Sequence, residues 1–427
     1  MSKISITTLG SLIEFQRGYD LPKTSFVEGD VPVISSNGIL GYHNEYKVKG
    51  PGITIGRSGT VGLPHYIEEN FYPHNTSLFI KDFKGNNPKY IYYLLKTLGL
   101  NDRGSGSGVP TMNRNHLHPL KVRAYLNPIY QEGIANVLTF IDSKIALNNR
   151  INAELEAMAK TVYDYWFVQF DFPFDFAQGK PSAEGKPYKS SGGKMVWSEE
   201  LKREVPEGWE VKRLEKVEAN IITGKTPSTK DTDNFGGNIP FITIDDIRQQ
   251  LYILQAERTL SIKGAESQST KYLKYGDICV SCIGTVGVIG LVSQISQTNQ
   301  QINTISIENP NNRFFLLNAL KDYFKFNVAA KKGAVLDNMN KAEFSDIPIL
   351  DAPSVVKESY RKHVESTYLK IENNLKENQQ LSSLRDWLLP MLMNGQVSVG
   401  TSDYEGEMEG LIAAEGMGKY GKIQIRK

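Results

Sequence analysis

The sequence predicts an α+β protein in which two related α/β globular units alternate with two long helices, the helices packing as an antiparallel coiled coil in a pseudo-two-fold, circular arrangement. Three observations predict it. A heptad seam runs through residues 128–169 and is written again 226 residues later, strand-and-turn text precedes each seam, and short strings of the first such stretch reappear in the second.

In the first seam Ile134, Leu138, Ile141, Ile145, Asn148, Asn152, Leu155, Ala159, Val162 and Trp166 recur at alternating steps of four and three, the spacing of a coiled-coil face. The second copy places Tyr360, Val364, Thr367, Ile371, Asn374, Asn378, Leu381, Arg385, Leu388 and Leu392 at the matching positions. Both polar seam positions are Asn in both copies. Each helix reads as uninterrupted apart from Gly133, and at ~1.5 Å per residue each spans roughly 55 to 60 Å. Antiparallel packing predicts Asn148 beside Asn378 and Asn152 beside Asn374, where seam amides trade packing for a fixed register.

A chain of 427 residues with 40% apolar content can bury more than one core. Its longest apolar runs are too short to span a bilayer, and Met1 to Gly10 lacks a charged leader ahead of an apolar stretch, so a soluble cytoplasmic protein without membrane contact is expected. Cys279 and Cys282 cannot staple a protein this size, which fits a reducing compartment. A net charge of +2 is far from that of a stand-alone nucleic-acid binder. Any basic surface is therefore local or shared with a partner.

Taken in order, residues 1–127 form the first unit, with strands at Val31–Ile34, Ile53–Ile55 and Ser77–Ile80 and a helix over Pro88–Leu98. Residues 128–170 are the first long helix. Residues 171–205 carry Gly179, Pro181, Gly185, Pro187, Gly192 and Gly193 in Lys/Ser-rich text and read as a linker. Residues 206–352 form the second unit: Ile239–Ile242 echoes Val31–Ile34, Ile283–Gly287 echoes Ser58–Gly62, and Met339-Asn340 echoes Met112-Asn113. Residues 353–395 are the second long helix, stopped at Gly395, and residues 396–427 are a Gly-rich, charged tail.

Strings that imitate catalytic motifs lack the context chemistry needs. Thr223-Gly224-Lys225-Thr226 resembles the end of a phosphate loop, but the earlier glycine position is Ala219 and Pro227 follows where a helix should run. Cys279-Val280-Ser281-Cys282 has no second pair to complete a zinc site. Asn127-Pro128-Ile129-Tyr130 has no Gly-rich cofactor loop before it and reads as a helix start with Pro in the first turn. Asp175 with Glu184-Gly185-Lys186 sits in text too loose to hold Mg²⁺. His116 and His118 are read as sharing a strand face, and no histidine pairs with an acid as a ligand set would. No catalytic, cofactor-binding or metal residues are expected.

Two polar loops per unit remain. Gly56-Arg57-Ser58-Gly59-Thr60 offers backbone N–H groups and a guanidinium fork, suited to phosphates or a guanine edge, the alternative being a plain glycine-rich turn. Its counterpart replaces the Arg with Cys282 and keeps Thr285. Arg103 to Asn115, with Thr111, Asn113 and Arg114, is matched by Lys331, Lys332, Asn338 and Asn340. Lys23, Ser36 and Asn37 in the first unit, and Lys225, Thr226, Thr243 and Asp245 in the second, complete the candidate nucleic-acid contacts.

With these features the chain resembles the DNA-specificity subunit of type I restriction-modification enzymes from Leu9 to about Val397. The resemblance is carried by the twin Gly-Thr-Val-Gly turns, the Leu-Asn-Pro and Asp-Ala-Pro starts of the long helices, Trp166-Phe167 with Lys189 to Lys194, and Pro206-Glu207-Gly208-Trp209. It implies two target recognition domains, each reading half of a split double-stranded DNA target, joined by helices that set the gap. It also implies a non-catalytic role beside two modification subunits, which carry S-adenosylmethionine and methylate adenine, and restriction subunits, which hydrolyse ATP and cleave. The first unit lacks the Pro-Glu-Gly-Trp opening of the second. The competing readings are a stand-alone adenine methyltransferase and a scaffold that does not touch DNA.

Overall fold

A computed structural model of the chain describes residues 4–103, 111–330, 338–399 and 423–425. Lys331 and Lys332 lie outside the described residues, as does most of the tail. The chain divides into two units, Met1–Ala146 with Gln379–Lys427, and Leu147–Asn378. Both boundaries cut through long helices, because each globule packs on the helix segments beside it.

In the first unit Glu14–Arg17, Ser77–Asp82, Gly52–Gly56 and Pro64–Ile67 form an antiparallel sheet in that order. Phe15, Ile53, Ile55, Leu78 and Ile80 bury one face against Tyr90, Ile91 and Leu94 of the helix Pro88–Lys96. That helix starts where the Asn87 side chain accepts the Tyr90 N–H and Pro88 takes the first helical position. Ile4–Thr8 pairs with Lys121–Tyr125, and the same core takes in Leu138 and Ile141 of one long helix and Leu388 and Leu392 of the other.

The second unit repeats the plan. Ile221–Thr223, Ile302–Ile305, Ile278–Ser281 and Ile289–Val292 follow the same order, with Tyr252–Ile253 added at the edge. Here Glu210–Arg213 pairs with Pro348–Asp351.

The long helices are Pro128–Tyr163, followed by a wider π turn over Asp164–Val168, and Ser354–Asn394. Within the second unit they run antiparallel. Asn148 Nδ2 donates to Asn378 Oδ1 at 2.9 Å, and one turn along, Asn374 Nδ2 donates to Asn152 Oδ1 at 2.8 Å. Within the first unit the seam is clamped by Arg385, which donates to Asp142 Oδ1 at 2.8 Å.

Three details depart from the sequence reading. Thr367 is only half-buried, and its neighbour Tyr368 takes the core position, stacked on Phe314 at 4.1 Å. The second helix is not free of proline: Pro390 lies inside it and withholds one N–H, while buried Leu388, Leu392 and Met393 hold the turn. The helix then stops at Gly395 (φ +76°), where Gln396 N–H returns to Met391 O and Gly395 N–H to Leu392 O, a Schellman ending.

The third departure is the largest. The segment expected as a linker is built: Pro173–Asp175 pairs with Lys180–Pro181 and Lys186–Pro187, and Met195–Ser198 pairs with Arg203–Pro206. Phe170, Phe172 and Tyr188 are buried with Trp166, Phe167 and Trp209. Tyr188 stacks on Phe172 at 4.7 Å, and Asp171 accepts both the N–H and hydroxyl of Ser190 at 2.7 Å. The prolines and glycines there shape turns between hairpins, and the scattered aromatic residues anchor them.

Candidate nucleic-acid interface

A cleft of about 770 Å³ in the first unit is lined by Arg17, Tyr19, Asp20, Arg57, Thr111 and Arg114, among others. It forms where three chain segments are sewn together by backbone hydrogen bonds. Gly18 N–H donates to Ser77 O (3.0 Å), Arg57 N–H to Thr76 O (2.8 Å) and Met112 N–H to Arg57 O (2.8 Å). Gly18 is obligatory, since a Cβ there would meet His74 O at 2.1 Å.

The second unit is sewn by the same stitches. Gly224 N–H donates to Ile302 O (3.1 Å), Cys282 N–H to Gln301 O (2.7 Å) and Met339 N–H to Cys282 O (2.7 Å). A Cβ on Gly224 would meet Asn299 O at 2.2 Å. The string that imitates a phosphate loop is thus the counterpart of Arg17-Gly18-Tyr19, a strand end tied to a neighbouring segment.

On this shared frame the side chains differ. Arg57 is half-buried, with Nη1 donating to Asn75 O at 3.4 Å. Asn75 Nδ2 in turn donates to Asp20 Oδ1, which also faces Arg17 Nη2 at 3.4 Å, so Asp20 ties the cleft's wall together. Ser58 pairs through its backbone with exposed Thr111, and Thr60 is exposed on the turn between Gly59 and Gly62, both at positive φ. Arg114 is exposed at the start of a short helix. Arg17 and Tyr19 were not singled out from the sequence. Aligning Gly18 with Gly224 would have found them.

Other expected contacts take different places. Lys23 is exposed at the start of the short 3-10 helix Lys23–Ser25 and Asn37 is exposed on a turn, whereas Ser36 is buried beneath the Gly59 turn. Arg103 ends the short helix Leu100–Arg103. Asn113 caps Arg114–Leu117 by accepting the Asn115 N–H, and Asn340 caps Lys341–Ser345 in a capping box with Glu343. Thr243 donates from N–H and hydroxyl to Asp246 Oδ2, both at 2.8 Å, so its side chain serves a helix start. His116 and His118 belong to a short helix and its end, not a strand, and His118 Nε2 accepts the Phe15 N–H at 3.0 Å.

In the second unit Lys225, Asp245, Thr285 and Asn338 are exposed, and Thr226 donates to Gln300 Oε1 at 2.7 Å. Cys282 requires a correction. Its side chain is 2% exposed, packed in the core and donating to Val280 O, and burial pushes its thiol up to about 11. It supports the frame and presents nothing to a ligand. Cys279 is buried too, and both thiols are free.

The arrangement offers guanidinium, hydroxyl and amide groups on loops fixed by a rigid frame, the equipment for phosphates and base edges. Such a duplicated frame with interchangeable loop side chains defines a recognition protein. The sequence matches the family described as the type I restriction modification DNA specificity domain twice, over residues 1–157 and 206–351. The chain belongs to this family, and its role is DNA specificity in a type I restriction-modification system.

Similar proteins include the type I restriction enzyme HindI specificity subunit of Haemophilus influenzae, 34% identical over 62% of this chain and 67% of that one. The MjaIX specificity subunit of Methanocaldococcus jannaschii is 24% identical over 90% of this chain and 91% of that one. The crystal structure of a type I restriction-modification S subunit from M. genitalium shares the fold with a TM-score of 0.57 at 16% identity, over 91% of this chain and 96% of that one. Among the described residues no helix is long and apolar enough to cross a membrane.

Proposed function

We propose that each globule reads one half of a split double-stranded DNA target, that the helices set the gap, and that the chain docks two methylating subunits and the ATP-dependent restriction subunits without performing chemistry itself. The observation that carries this reading is the repeated set of backbone stitches, Gly18/Gly224, Arg57/Cys282 and Met112/Met339, beneath unlike loop side chains. A constant frame with exchanged surface groups is what two independent readers need. Contacts to DNA would come from Arg17, Arg57, Thr111 and Arg114 in one globule and from Lys225, Thr285 and Asn338 in the other. The Asn pairs of the seam would keep the register, since a slip of one heptad moves a helix by ~10.5 Å, about three base pairs.

The test exchanges one globule for that of a related protein and maps methylated adenines made by the assembled methyltransferase across a genome. One half of the target should change. An exchange that alters both halves, or neither, removes the reading.

A further inference from the structure

The second globule lacks the arginine that its frame position would supply, because Cys282 points into the core. A guanidinium nevertheless lies at the same turn. Arg248, on the helix Ile244–Gln249, donates from Nη2 to Thr285 Oγ1 at 2.6 Å and from Nη1 to Asp245 Oδ1 at 2.8 Å. Thr285 is the turn residue between Gly284 and Gly287, both at positive φ, in the loop matching Gly59-Thr60-Val61-Gly62. The first globule builds its cation into the strand end. The second brings one across from a neighbouring helix.

We infer that Arg248 is the guanine-reading residue of the second globule, held in place by Asp245 and Thr285. This deepens the proposed DNA-reading role and rests on it. Two features favour a base edge over a phosphate. The guanidinium is paired with a carboxylate, so the couple carries no net charge and gains little from a phosphate, whose attraction is chiefly electrostatic. The same two partners fix the plane of the fork, and direction is what a bidentate contact to guanine O6 and N7 requires. These contacts engage two of the five N–H donors an arginine carries. Arg248 is also half-exposed, its side chain retaining 47% of its accessible surface. Asp245 thus acts as a positioning residue and not as a contact in its own right.

The experiment uses the full chain assembled with its methylating subunits, comparing wild type with Arg248→Ala, Arg248→Lys and Arg57→Ala. Methylated sites are mapped over a genome, and binding to an oligonucleotide carrying a mapped site is measured at several salt concentrations. Arg248→Ala should relax one G·C position in one half-site, with discrimination there falling roughly fivefold to a hundredfold. Arg248→Lys, which keeps the charge but not the fork, should relax the same position with an unchanged salt slope. Arg57→Ala should affect only the other half. Uniform weakening of all sites by Arg248→Ala, with a shallower salt slope, would make Arg248 a phosphate contact and overturn the inference. So would unchanged target selection while Arg57→Ala still relaxes its half. Loss of sequence preference in the wild-type assembly would instead remove the underlying DNA-reading role.

Discussion

Replacing Asn374 with leucine tests whether the seam amides act as a unit. Asn374 and Asn152 are 2% and 5% exposed, and their bond is 2.8 Å long. Asn152 Nδ2 has no hydrogen-bond partner among the described residues, so its Oδ1 is the only satisfied end of that side chain. Asn374→Leu strips this end as well and leaves a whole amide buried without partners. An orphaned buried polar group costs about 1–3 kcal/mol, and about 2 kcal/mol is expected here. Replacing both partners, Asn152→Leu with Asn374→Leu, removes the orphan and should restore most of the loss. For a body of this size 1 kcal/mol moves the melting temperature by about 2–4 °C, so the single variant should melt roughly 4–8 °C lower and the double near wild type. Intrinsic fluorescence follows the relevant unit, because buried Trp166 and Trp209 sit in its core. The double variant should also loosen target spacing in the assembled methyltransferase, having lost one of the two Asn pairs that keep the register. Destabilisation of the double variant by the sum of the two singles would refute the reasoning, since it would mean that the amides contribute separately.

Two further outcomes follow from buried groups. Burial pushes the Cys279 and Cys282 thiols upward, so an alkylating reagent at pH 8 should leave the native chain unlabelled and modify both after denaturation; rapid native labelling of Cys282 would place it at the surface after all. Burial, with Lys84 and Arg114 nearby, holds His118 below the ordinary histidine value of 6.5. The folded state thus favours the neutral ring, as its acceptance of the Phe15 N–H requires. Its stabilising contribution is present above pH 6.5 and is lost as the pH falls through the depressed folded value. Wild-type melting should therefore drop below pH 6.5 more steeply than that of His118→Gln, and parallel curves would count against it.

The seam was legible because coiled-coil packing repeats every seven residues and tolerates few exceptions, so two matched Asn positions stand out against apolar neighbours. Its exceptions were not. Tyr368 displaces Thr367 because the aromatic ring finds Phe314 beside it, a partner 54 positions away that no periodicity reports. The hairpins between Phe170 and Pro206 were hidden for a related reason. Their glycines and prolines read as breakers, while what orders them is burial of Phe172 and Tyr188 against Trp166 and Trp209, contacts made only in the folded chain.

The recognition loops show the sharper limit. Matching Gly59-Thr60-Val61-Gly62 to Gly284-Thr285-Val286-Gly287 located the turn in both globules, since positive φ demands glycine at fixed places. It also suggested that residues at equal positions do equal work, and Cys282 breaks that rule. A frame constrains backbone, and backbone leaves sequence marks. A side chain that reaches a given turn can come from any element ending nearby, as Arg248 reaches Thr285 from a helix absent at this point of the first globule. Two copies of one frame can therefore diverge in what they read without changing a single stitch, and the residues that distinguish them need not align.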